Sequence, residues 1–163
     1  MNVMTKLNLN SINVLPEMID SPVGVALTSA LDTELNEIYP EEESRYPDIT
    51  VNQVMEPLGA FLVAYLGKDH IGCGAIRRIG DLDAEIKRIY VKKPFRSMGV
   101  GRILLDSLEA ESRHLGVSRL VLETGNRLPH ALAFYRKAGF IEIPRFGSYL
   151  NSPLSICMEK ILR

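Results

Sequence analysis

The chain has 163 residues, 46% of them apolar and 24% charged, with a formal net charge of −1. That length builds one domain with a substantial core, read here as residues 1–163, and is too short for two ordinary ones. Near-neutral charge, with basic pairs only at Lys87-Arg88 and Lys92-Lys93, argues against a nucleic-acid partner, and no apolar run reaches the ~18 residues of a membrane span.

In chain order, the opening MNVMTKLNLNS lacks the apolar run of a secretory leader, which points to a cytoplasmic location. After a short first strand, Ser21-Pro22 predicts a helix start, with Ser as N-cap and Pro at the first helical position. Val23, Leu27, Ala30, Leu31, Leu35 and Ile38 then recur at helical spacing as a core-facing stripe, and Tyr39-Pro40 ends it. Glu41 to Pro47 reads as a charged loop and Val51 to Met55 as a second short helix.

Ala60 to Leu66, His70 to Arg78 and Ala84 to Val91 read as strands. Gly67-Lys68-Asp69 and Gly80-Asp81 punctuate them as tight turns, so they are expected to be antiparallel neighbours. Gly72-Cys73-Gly74 inside the second of these is explained by close backbone packing. A helix from about Val100, with Val100, Ile103, Leu104, Leu108 and Leu115 on one side, stops at Gly116 and crosses over to a parallel strand, Val117 to Thr124. His130 to Ala138 is a last helix, and Phe140 to Ile143 pairs with Ser155 to Leu162. The expected fold class is α/β (α+β): a mixed, mostly antiparallel sheet with helices on both faces. Cys73 and Cys157 are expected to be buried thiols. His70, His114 and His130 lack ligand-spaced partners, so no metal site is expected.

The most informative stretch is Ile86 to Leu105, a strand, a basic turn with Gly99 and Gly101, and a helix start. A helix start leaves backbone N–H groups without partners and carries partial positive charge, and Arg96 adds a cation, so the turn is a seat for a phosphate or pyrophosphate. It is not a dinucleotide fingerprint, because Arg102-Ile103-Leu104 follows Gly101 with no third glycine. No segment supplies a P-loop.

The R-x-x-G-x-G pattern at Arg96, Gly99 and Gly101 resembles that of the GNAT acyl-CoA-dependent N-acetyltransferases. AEIKRIYV (Ala84 to Val91) is similar to that family's central strand, and ALAFYRKAGF (Ala131 to Phe140) to its A-x-x-x-Y-x-x-x-G-[FY] segment. The resemblance spans Glu85 to Phe140. It implies acetyl-CoA as cosubstrate, an amine acceptor and direct transfer in a ternary complex. It also implies that Arg96, Ser97, Met98, Gly99, Val100, Gly101 and Arg102 hold the pyrophosphate, while Ile89, Tyr90 and Val91 line the thioester and offer main-chain N–H groups to its oxygen. Many relatives carry an asparagine three residues before the alanine matched by Ala131. Here that position is Leu128; Asn126 is the nearby candidate for the pantetheine arm, with Thr124 and backbone groups as the alternative, and turn chemistry explains Gly125-Asn126 equally well.

Resemblance also implies a catalytic Tyr135, a phenol that stays protonated at neutral pH and can give its proton to a departing thiolate. The residues alone leave a second reading open, since Ala131, Phe134, Tyr135 and Ala138 share helical spacing and suit a core. Glu85, eleven residues before Arg96, matches the offset of the base in some members, with Glu123 in reserve. A carboxylate simply paired with Lys87 or Arg88 is the other reading. Glu41, Glu42 and Glu43 could attract a cationic amine, and Arg145 or Tyr149 could hold a carboxylate. The expected function is an N-acetyltransferase for a small molecule, amino acid or peptide amine. The alternatives are a non-catalytic acyl-CoA-binding module or an acetyltransferase acting on a macromolecule. A homodimer through the last strand is a further expectation.

Overall fold

A computed structural model of the chain describes residues 7–42 and 49–163. Seven strands, β1 (Ile12–Pro16), β2 (Gly59–Leu66), β3 (Asp69–Arg78), β4 (Asp83–Val91), β5 (Arg119–Gly125), β6 (Ile141–Ile143) and β7 (Ser155–Ile161), form one sheet in the order β1-β2-β3-β4-β5-β7-β6. Among the described residues three α-helices accompany it: α1 (Pro22–Ile38), α2 (Val100–His114) and α3 (Pro129–Lys137). The mixed α/β class is as the sequence reads, and the expected second helix is a short 3-10 turn, Val51–Val54. Most of the expected loop from Glu41 to Pro47 lies outside the described residues. Among those described, no helix is long and apolar enough to cross a membrane.

Local chemistry sets the elements. The Ser21 hydroxyl accepts from the Gly24 N–H at 3.0 Å, capping α1 behind Pro22. β2 is apolar throughout because it is covered on both sides. Ala60, Leu62 and Ala64 pack toward α2 and α3, while Phe61 and Val63 pack toward α1. Gly72 needs to be bare, since a Cβ there would lie 2.7 Å from the Tyr90 carbonyl oxygen. Cys73 and Cys157 are both buried and free.

Two departures from a regular sheet position the site. β4 and β5, the one parallel pair, are in register only from Asp83↔Arg119 to Ile86↔Leu122, and beyond Ile86 they part. On the other edge of β4, Cys73 pairs with Tyr90 and Ala75 with Lys87, so the single Gly74 opposes both Arg88 and Ile89. This is a β-bulge, with Arg88 at φ 59°. The extra residue reverses the facing of everything after it. Ile86 and Ile89 pack toward α2 and α3, whereas Tyr90 turns to the α1 side against Leu27 and Phe61.

The gap between β4 and β5 also changes α1. Its stripe is not a continuous core face: Leu27 is fully buried, Leu31 and Leu35 are half-buried, and Ile38 is 38% exposed. The C-terminal half of the helix overhangs the opening instead of resting on sheet.

Candidate active site

The opening is a cavity of about 760 Å3. One wall is α1 and the turn after it, through Leu31, Leu35, Tyr39 and Glu42. The strands contribute Lys87, Arg88 and Ile89 from β4 and Glu123 to Gly125 from β5. Leu128, Ala131 and Tyr135 close the α3 side, and Tyr149 and Leu154 close the far end.

Tyr135 is 8% exposed, packed edge-on between Phe134 and Phe140 with ring centroids 5.2 and 5.7 Å away, and it lines the cavity. The ring is therefore part of the core and also reaches the opening. Burial, reinforced by the charge of Glu123, pushes the phenol well above the ordinary tyrosine range, so it stays protonated.

Glu85 is only 2% exposed and does not line the cavity. Arg77 donates to its Oε2 through Nε at 3.0 Å and Nη2 at 2.8 Å, and the Tyr149 hydroxyl donates to its Oε1 at 2.5 Å. Lys87 Nζ donates to the Tyr149 hydroxyl at 3.1 Å and stands 3.8 Å from Glu85 Oε1. The expected pairing with Lys87 is present, but the closer partner is Arg77, which sequence spacing did not single out and which donates twice to the one oxygen Oε2. Tyr149, a candidate to hold a carboxylate of the acceptor, is instead bonded to Glu85 of the chain itself. Arg145 is held by the backbone carbonyls of Ser155 and Pro153.

Glu123 does line the cavity. The Ser155 hydroxyl donates to its Oε1 at 2.8 Å. Burial raises its pKa; the Ser155 bond and Lys87 act against that, while Glu42 and Glu85 add to it. Burial likewise lowers the pKa of Lys87.

The glycine turn lies beside this cavity, and none of Arg96 to Arg102 lines it. Gly99 is the N-cap of α2 at φ 92°, with no side chain to cap the first-turn amides. Val100 anchors the turn by burying its side chain against Ile12, Ala64 and Leu104. A Cβ on Gly101 would sit 3.5 Å from the Phe134 ring, an ordinary contact, so packing does not demand a bare residue there. Ser97 also has positive φ, at 60°, and is exposed, and Met98 is half-buried. The α2 start thus fits an anionic group: first-turn amides without a side-chain cap, and Arg102 exposed with an i,i+4 pair to Asp106 at 2.9 Å.

Arg96 has other partners than expected. It donates from Nε to the Val91 carbonyl at 2.7 Å and from Nη2 to Glu34 at 2.7 and 2.9 Å, clamping the end of β4 to α1. Its guanidinium also stacks on Tyr90, 5.4 Å from the ring centroid, and the Tyr90 hydroxyl bonds Glu34 at 3.2 Å. Among Ile89, Tyr90 and Val91, only Ile89 lines the cavity. Asn126 is exposed outside the lining, its N–H on the Leu154 carbonyl at 2.9 Å; Leu128 and Thr124 line the cavity instead.

Sequence reasoning missed Tyr39. Its hydroxyl accepts from the Arg127 N–H at 2.7 Å, and Arg127 stacks on its ring at 5.0 Å, which fixes α1 to the end of β5. It also missed the surface partners of His114, whose Nε2 is 3.3 Å from Glu56 Oε1. Half-buried Glu111 completes that cluster, with all ligand atoms within 4.8 Å.

Residues 26–140 match the model of the acetyltransferase (GNAT) family. An IAA acetyltransferase of Azospirillum brasilense is 38% identical over 143 residues, covering 85% of this chain and 90% of that protein. A crystal structure of a Klebsiella pneumoniae protein assigned as an acyl-CoA N-acyltransferase is 27% identical, with a TM-score of 0.81 over 93% of this chain and 98% of the other. A GNAT family acetyltransferase from Elizabethkingia anophelis, solved with acetyl-CoA bound, shares the fold at 22% identity and a TM-score of 0.68, covering 94% of this chain and 99% of that one.

Proposed function

The chain belongs to the GNAT family and is an acetyl-CoA-dependent acetyltransferase; from that premise we propose that it acetylates the amine of a small molecule by direct transfer within a ternary complex. The observation that carries this reading is the parting of β4 and β5 beyond Ile86, beside the uncapped start of α2. The pyrophosphate sits on the amides from Met98 to Arg102, and Arg102 leaves its weak surface pair to join it. Arg96 acts by fixing the β4 end to Glu34. The walled cavity, and the name of the Azospirillum relative, support a small acceptor over a macromolecule.

In the proposed reaction Glu123, at the cavity wall, takes a proton from the incoming ammonium and passes it to solvent. The neutral amine then attacks the thioester carbonyl, the C–N bond forms and the C–S bond breaks. The Ile89 N–H, at the bulge, stabilises the oxygen as charge develops. The thiolate takes its proton from Tyr135, which is restored by the second proton leaving nitrogen. Ammonium and thioester become amide, free thiol and one released proton. Glu85, held by Arg77 and Tyr149, positions Tyr149 and Lys87 at the wall.

Initial rates of thiol release, with acetyl-CoA and an amine varied together, test direct transfer. Intersecting lines are expected; parallel lines would indicate a covalent acetyl-enzyme and overturn it.

A further inference from the structure

The charges on the cavity wall restrict the acceptor further, an inference that rests on the acetyltransferase reading. Among the described residues, five ionisable acids and bases other than tyrosine line the cavity: Asp32, Glu42, Lys87, Arg88 and Glu123. Asp32 and Arg88 pair with each other. Lys87 is directed to the Tyr149 hydroxyl at 3.1 Å. Arg145, outside the lining, is bound to two backbone carbonyls.

The remaining two groups are carboxylates with no ion pair among the described residues; Lys87 acts on Glu123, and Arg127 on Glu42, only beyond ion-pair distance. Glu42 Oε1 is buried with no hydrogen-bond partner. Glu123 is held by the neutral Ser155 hydroxyl. Each sits close enough to the other for their charges to interact. A buried carboxylate oxygen left without a donor is costly, and an ammonium group brings three donors and the opposite charge. The same cavity has apolar lining from Leu31, Leu35, Leu128 and Leu154 with the Tyr39 ring, beside the polar Asn36 and Thr124.

We propose that the acceptor is a primary amine on an apolar body with no carboxylate beside the nitrogen, an arylalkyl- or alkylamine, whose ammonium group is received between Glu42 and Glu123. An α-amino acid is disfavoured by the same arrangement. Its carboxylate would enter a space already holding two acids, where the lysine and arginine of the wall are engaged elsewhere, and like charges at short range in a partly dry cavity repel.

The test uses the full chain with acetyl-CoA and compares phenethylamine with phenylalanine, which differ by that carboxylate. Thiol release is expected to give phenethylamine a kcat/KM at least about tenfold higher. Glu42→Gln is expected to raise the phenethylamine KM about tenfold, with kcat within about twofold, and to narrow the gap between the two acceptors. Equal or better use of phenylalanine by the native chain overturns the proposal, as does a Glu42→Gln variant with native KM. Acetyl-CoA binding without thiol release from either amine also overturns it. A chain that neither binds acetyl-CoA nor releases thiol with any acceptor instead removes the functional reading beneath it.

Discussion

The Tyr149 hydroxyl donates to Glu85 Oε1 across 2.5 Å, joining two residues 64 positions apart at the closed end of the cavity. Burial and this bond to a carboxylate both push the Tyr149 phenol far above its ordinary range, so the donor role is fixed. Removing it leaves one buried Glu85 oxygen with Lys87 at 3.8 Å as its near partner. Tyr149→Phe is expected to cost about 1–3 kcal/mol, a fall in Tm of about 2–10 °C. The acidic limb of its pH–rate profile should stay where the native chain has it, because the proton acceptor is Glu123. A limb that moves would make Glu85 the base.

Glu123 supplies the pH dependence. Burial raises its pKa, so the acidic limb of kcat/KM should lie above the ordinary carboxylate range, with the rate rising as pH climbs through it. Glu123→Gln should lower kcat/KM about 100-fold and abolish that limb. The sign for stability is opposite. The native state binds this proton more tightly than the unfolded chain, so Glu123 subtracts stability as pH rises from the ordinary carboxylate value through the raised one. The Gln variant should lose that decline, which thermal melts across the acidic range will reveal.

Tyr135→Phe keeps the ring between Phe134 and Phe140 and removes only the hydroxyl. Turnover should fall about 100-fold or more while acetyl-CoA affinity, measured by calorimetry, changes less than about twofold. Unchanged turnover would leave Tyr135 as a core aromatic.

Gly125 is required by Tyr39. A Cβ at position 125 would lie 2.0 Å from the Tyr39 hydroxyl oxygen. Gly125→Ala must therefore displace that hydroxyl from the Arg127 N–H. The expected cost is about 1–3 kcal/mol, a Tm lower by about 2–10 °C. Tyr39→Phe added to Gly125→Ala should recover part of the loss. No recovery would mean the strain lies elsewhere.

How far the sequence carried depended on whether a feature was local. The Ser21-Pro22 start, the tight turns and the glycine start of α2 are written in adjacent residues, and the structure has each of them. The Arg88 bulge is not, because a non-glycine residue at φ 59° leaves no compositional mark, and it decides that Tyr90 faces α1. Arg96 looked like a free cation because its partner, Glu34, is 62 residues away on another element. The half-exposed Leu31 and Leu35 looked like core because helical spacing cannot tell a covered stripe from one that overhangs a gap. Gly125 read as turn chemistry, and the ring that forbids a side chain there comes from 86 residues earlier.

Main-chain amides at the start of α2, next to the gap between β4 and β5, are the proposed seat of the diphosphate. Titrating the isotopically labelled chain with coenzyme A and following backbone amide resonances tests it most directly. The largest shifts are expected at Met98 to Arg102, with a second group at Ile89 and along Ala131 to Tyr135. Saturable binding that leaves the Met98 to Arg102 amides unmoved, or no binding at all, would contradict it.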